Sequence, residues 1–202
     1  MRRPIQHAVV GAALVLACVA CASGEGEGKR SDLPSSASVE PSRLLRLPVV
    51  DLPDDPLSEQ DGLNGPEKRR VIGEVRNGAD RIIVYVTGQK CGLATTREGD
   101  QENLSLHVLG AWPEDGTQGA VALPYGPYSH TSANGSGGTW ASLSCGKDAM
   151  VVKFSSPNVS KTLKHRGSLD VVKSASAERS VSIVVGTGAI RERVRAALQD
   201  HS

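Results

Sequence analysis

The sequence predicts a mainly β fold, an antiparallel sandwich or a partly open barrel, closed by one C-terminal α-helix. Three observations carry this. Beyond residue 66 the dominant hydrophobic period is two, the segments that show it are short and divided by Gly and Asp turn residues, and a helical period appears only at the end of the chain. Residues 66–202 suffice for one domain of ordinary size.

The first strand is expected over Val71–Val75 and the second over Arg81–Thr87. The second is β-branched and apolar on both faces, as a strand buried on both sides must be. Asn77-Gly78 between them supplies the positive φ values that a tight hairpin needs. In Leu104–Leu109 the apolar residues Leu104, Leu106 and Val108 share one face, so His107 points away from the core. Further strands follow at Ala120–Leu123, Thr139–Cys145, Met150–Phe154, Leu169–Val172 and Ser180–Val185. After Gly186-Thr187, the residues Ile190, Val194, Ala197 and Leu198 fall on one helical stripe, with Thr187 as N-cap. This helix is expected to pack on the sheet and close it.

Cys91 and Cys145 each lie at the end of an expected strand with no third thiol nearby, and a disulfide is the economical reading. The bond closes a loop of 54 residues, which stabilises by about 4 kcal/mol on the chain-entropy estimate. The chain has one Phe, three Tyr and two Trp, so a covalent clip compensates for a modest core. His107, His130, His165 and His201 are scattered without ligand spacing, and neither a metal nor a cofactor is expected.

The N-terminus has another logic. Arg2-Arg3 precedes an apolar run from Ala8 to Ala17, then Cys18 and Cys21 stand among Ala and Val. The run is too short for a bilayer, which takes about 20 helical residues, and fits the apolar region of an export signal. The stretch resembles the lipobox of bacterial lipoproteins, in which a thiol is diacylated and becomes the first residue of the mature chain. The resemblance covers only the export signal and its cysteine. It implies a signal peptide over residues 1–20, a lipid on Cys21, and a protein held at the extracytoplasmic face of the cell membrane. Cys18, which follows Leu14-Val15-Leu16-Ala17, is the alternative acceptor. An ordinary secretory signal cut after Ala20 or Ala22 is the remaining alternative. Acylation at Cys21 removes Cys18 with the signal and leaves Cys91 and Cys145 as one pair. The abundance of Ala, Gly, Arg and Val resembles actinobacterial composition.

Residues 21–65 are rich in Pro, Gly, Ser, Asp and Glu, and Pro34, Pro41, Pro48, Pro53 and Pro56 interrupt helix and central strand alike. They read as a disordered tether with an r.m.s. reach of about 40 Å. Leu44, Leu45, Leu47, Val49, Val50 and Leu52 are too apolar for pure linker, and docking on the folded domain is the expected way of covering them.

No catalytic motif survives scrutiny. Ser144-Cys145-Gly146-Lys147 matches S-x-x-K but lies at a strand end, and the companion elements of penicillin-recognising enzymes are missing. The chain contains no G-x-S-x-G, H-E-x-x-H, Walker loop or complete dinucleotide fingerprint. The leading surface candidate is the Tyr-, Ser-, Gly- and Asn-rich segment from Pro124 to Gly138, read as a long loop leading into Trp140. Tyr125, Tyr128, His130 and Trp140 are its candidate binding residues, since aromatic rings among small polar residues make adaptable contacts. The alternative is that its tyrosines pack back on the sheet edge. A second candidate is the basic run Lys161 to Arg166, within an end (residues 155–202) that carries eight Lys and Arg against four Asp and Glu. A basic end suits anionic lipid or wall polymer.

These features point to a lipid-anchored binding or interaction module of the bacterial cell envelope. Its expected partners are the membrane, through the anchor, and an envelope protein or wall polymer, with no role for nucleic acid. Modulating a partner such as a stress-sensing signalling system is one role open to it. The alternative is a hydrolase of envelope polymers whose active site no motif reveals. The anchor is tested by metabolic labelling with a palmitate analogue: the protein is expected to be tagged, and Cys21→Ala to release it into the medium. Loss of label only in Cys18→Ala moves the acylation site, and label-free protein in every case removes the lipoprotein reading.

Overall fold

Apolar side chains on both faces of the same strands mean that each sheet needs a cover outside as well as a partner inside, and four layers result. The computed structural model describes residues 42–53, 55–58, 69–97, 100–113, 121–123, 126–160, 162–173 and 179–200. The expected signal peptide, Cys18, Cys21, Tyr125, Lys161 and much of the expected tether lie outside the described residues. The fold is an antiparallel sandwich, not a closed barrel. One sheet has the order β4-β3-β2-β1-β9 and the other β10-β11-β8-β7-β6-β5.

In chain order the strands are β1 (Arg70–Asn77), β2 (Asp80–Thr87), β3 (Lys90–Arg97), β4 (Asp100–Ala111), β5 (Val121–Leu123) and β6 (Gly126–Asn134). They continue with β7 (Trp140–Cys145), β8 (Ala149–Ser155), β9 (Leu163–Gly167), β10 (Leu169–Lys173) and β11 (Ser180–Gly186), and helix α1 (Gly188–Asp200) ends the chain. Every expected strand is present. Three more were not anticipated: β3, β6 and β9. The β1–β2 turn is set by Gly78 alone, at φ +61°, because Asn77 already pairs with Asp80 as a strand residue. Its buried side chain accepts a hydrogen bond from the Ser160 N–H at 2.5 Å.

The inner layer is mainly aliphatic. Ile72, Val75, Ile82, Val84, Leu93 and Val108 of the first sheet meet Leu143, Val152, Phe154, Ile183 and Val185 of the second. Cys91 on β3 and Cys145 on β7 join the two sheets through a disulfide, with Cα atoms 5.7 Å apart. β9 and β10 are one path bent between the sheets: Gly73 pairs with Gly167, Leu169 pairs with Val185, and only Ser168 lies between. Gly167 makes the corner at φ +99°, where a Cβ would stand 2.4 Å from the Ile72 carbonyl oxygen.

The outer covers differ. The segment 42–58 forms a strap that begins with a 3-10 turn over Arg43–Arg46. Leu44 and Leu47 enter the inner core, and Leu52 and Leu57 lie outside the first sheet on Val71, Ile83, Tyr85 and Ala94. The apolar cluster thus docks on the folded domain as expected. Four buried leucines, each contributing about 1.5–3 kcal/mol, hold a segment whose prolines deny it regular structure. On the second sheet, α1 sets Ile190 and Val194 against Tyr128, Ala149, Val151 and Val184.

Reduction is expected to lower the melting temperature, with a loss of about 4 kcal/mol out of a typical total of 5–15. Alkylation of native and reduced protein checks the bond directly: two thiols that react before reduction contradict it.

Candidate functional site

β6 was expected to be a loop and is a strand. Gly126–Asn134 pairs with β7 through a turn at Gly135–Thr139, so alternate residues face opposite sides of the second sheet. Thr131 and Ala133 face inward with Leu143 and Ala141, and His130, Ser132 and Asn134 face outward. Tyr128 also lies on the outer side, but beneath α1, where it is 2% exposed and covers Gly146. It is a core residue and not a recognition residue, because the helix claims that part of the sheet. This corrects its reading as an exposed binding ring.

Among the described residues no helix covers the rest of the outer face. Register places Asn134, Trp140, Ser155 and Ser180 in one cross-strand row. The next row holds Ser132, Ser142, Lys153 and Ser182. Trp140 is 37% exposed, and among the described residues the other exposed large apolar side chains are Val49 on the strap and Leu109 on β4. A cavity of about 360 Å³ lies apart from the Trp140 row, where Thr139, Ser136 and Ser156 of the second sheet's turns meet Asp80, Arg97 and Ser105 of the first sheet. Of the candidate residues, His130 and Trp140 share this face. They stand about 13 Å apart along the strands, four residues at 3.3–3.4 Å each, and so do not form one subsite.

His130 Nδ1 lies 3.2 Å from Ser144 Oγ. A serine–histidine contact is the first element of a nucleophilic site, but no acidic residue is bonded to the His130 ring among the described residues. The pair reads as a surface hydrogen bond.

The first sheet has polar chemistry of its own. Tyr85 crosses over Gly92, where a Cβ would stand 2.1 Å from its ring, and stacks against His107 with the rings 7° from parallel. The Tyr85 hydroxyl and His107 Nε2 are 2.6 Å apart. Burial pushes the tyrosine pKa well up and the imidazole pKa down. Nearer the β9 edge, Glu74 is 2% exposed and accepts hydrogen bonds from Arg81 Nε at 2.8 Å and Arg166 Nε at 2.6 Å. Burial by itself raises the carboxyl pKa, but the two guanidinium hydrogen bonds and charges outweigh it and hold the group below its usual value. Sequence inspection missed this cluster, since Glu74 and Arg166 are far apart in the chain and only the β1–β9 pairing joins them.

No protein-family model, no characterised protein and no solved structure matches this chain.

Both shifts weaken the fold in acid. A proton binds His107 more readily in the unfolded chain, so the contribution of neutral His107 is complete above its ordinary pKa of 6.5 and declines below it. The Glu74 contribution is complete above 4.5 and is lost as pH falls through its lower folded value. Melting temperature is expected to fall in two stages on acidification. His107→Gln is expected to remove the first, and a slope between pH 6.5 and 5 equal to that of the wild type contradicts the assignment.

Proposed function

We propose that the protein is a lipid-anchored binding module of the bacterial cell envelope that engages a hydroxyl-rich wall polymer through the bare half of the second sheet. The observation that carries this reading is Trp140, part-exposed in a row of Asn134, Ser155 and Ser180 on a rigid sheet. An indole gives flat apolar contact and an N–H donor, and serine hydroxyls both donate and accept. Together they suit a ligand with alternating C–H and O–H surfaces. A protein partner needs a more apolar contact centre, whereas among the described residues the exposed large apolar side chains stand on three separate elements: strap, β4 and β7. The lipobox resemblance supports the location and the Pro-rich segment supports a reach beyond the membrane surface. The hydrolase reading gains no support, because the His130–Ser144 contact has no acid beside it among the described residues.

The test is co-sedimentation of the full-length protein with purified insoluble wall glycan. Trp140→Ala is expected to weaken retention about 30-fold while the disulfide and melting temperature stay unchanged, since an aromatic anchor carries about 2 kcal/mol or more. Tyr128→Ala is expected to act differently, through a stability loss of about 3–5 kcal/mol from its vacated core position. A folded Trp140→Ala protein that sediments like the wild type rules out this face, and release of soluble fragments from the glycan restores the hydrolase.

A further inference from the structure

The strap covers only part of the outer face of the first sheet. Toward the β9 edge, two cross-strand rows hold Arg166 beside Glu74 and Lys164 beside Arg76, with Arg81 next to Arg76 on β2. Glu74, Arg76, Lys164, His165 and Arg166 line an open depression of about 290 Å³ there. We propose that this depression is an anion site for a single phosphate group, presented as a phosphomonoester or phosphodiester on a ligand outside the membrane.

The balance of charge comes first. Three arginines converge on one carboxylate with Lys164 nearby, and of the three only Arg81, whose side chain is 8% exposed, is buried with Glu74. The Arg166 and Arg76 side chains are 42% and 46% exposed and also converge on Glu74, Arg76 with its Nε 3.5 Å from Oε1. Both turn Nε to the carboxylate. That leaves the Nη groups of each guanidinium as donors for a second anion in a fixed plane, the geometry that recognises phosphate. Glu74 is therefore a positioning residue: it holds the guanidinium groups still, which lowers the ordering cost of binding. Lys164 has no carboxylate within ion-pair distance among the described residues and adds a point charge at the rim.

Charged residues on an edge strand also discourage pairing with another chain. That role needs neither a depression nor a buried carboxylate gathering three arginines. A bilayer surface is the weaker ligand for the same geometry: none of the exposed large apolar residues, Val49, Leu109 and Trp140, lines the depression to enter hydrocarbon. A volume of about 290 Å³ at an open sheet edge matches a phosphate group and its immediate substituents.

The test uses the full chain with Cys18 and Cys21 replaced by Ala. It is titrated with inorganic phosphate and with poly(glycerol phosphate), and floated with phosphatidylcholine vesicles with and without phosphatidylglycerol. Saturable binding of phosphate and of the polymer is expected, weakened about tenfold or more in Lys164→Gln/Arg166→Gln, because charge-assisted hydrogen bonds are worth about 1.5–3 kcal/mol. Glu74→Gln is expected to weaken binding although it removes a negative charge, which separates positioning from net charge. Should that variant fail to fold, the exposed Arg76→Gln replaces it and is expected to lose affinity likewise. Arg193→Gln/Arg195→Gln on α1 removes as many charges elsewhere and is expected to change nothing. Equal loss in the α1 variant, no saturable phosphate binding, or binding to phosphatidylglycerol vesicles alone overturns the site.

Discussion

The constraint on which this fold depends is the scarcity of large side chains. The chain's one Phe, Phe154, lies in the layer between the sheets, which is otherwise built mainly from Val, Ile, Leu and one disulfide, and such a layer buries limited area. The same strands therefore bury their other faces as well. Tyr85 and Ile83 go under the strap, and Val151 and Val184 go under α1. Neither cover is optional, since each encloses apolar residues that would otherwise face water on the outside of a sheet.

Partial cover then decides where chemistry can occur. A strap with four buried leucines and a helix whose packed stripe is Ile190, Val194 and Leu198 are both narrower than the sheets beneath them. Where the cover ends, the outward positions of the same strands change character. On β8 the outward series runs from Ala149 and Val151 under the helix to Lys153 and Ser155 beyond it. On β1 it runs from Val71 under the strap to Glu74 and Arg76. The two candidate faces are thus the uncovered halves of the two sheets, and their polarity is the complement of the packing.

Most of the strands were legible because their inward and outward residues are both β-branched or apolar, as in Arg81–Thr87. The missed strands share a cause: their fit depends on neighbours that sequence order does not reveal. In β3, Gly92 and Ala94 are small because the Tyr85 ring and the strap need the room, so a strand set in the middle of a sheet has the composition of a turn. In β6 the inward residues Ser129, Thr131 and Ala133 pack against β4, with Ser129 Oγ donating to the Ala111 carbonyl, and the segment reads as polar loop. β9 is an exposed edge with almost no apolar pattern, and Gly167 marks its corner only once Ile72 is known to lie against it. Tyr128 and Trp140 looked equivalent in sequence. The position of α1, which is a tertiary fact, separates them.

The strap also ties the way the chain enters the fold to the cross-link. Ser42 Oγ donates to the Lys147 carbonyl and Leu44 N–H bonds the same oxygen at 3.4 Å, in the β7–β8 turn just past Cys145. A pull on the chain ahead of Ser42 acts first on these two hydrogen bonds and on Leu44 and Leu47, which sit in the inner core beside both sheets. Lifting them opens the inner layer at its β7–β8 end. The Cys91–Cys145 bond then limits how far the sheets can part, because it joins β3 and β7 covalently whatever the strap does.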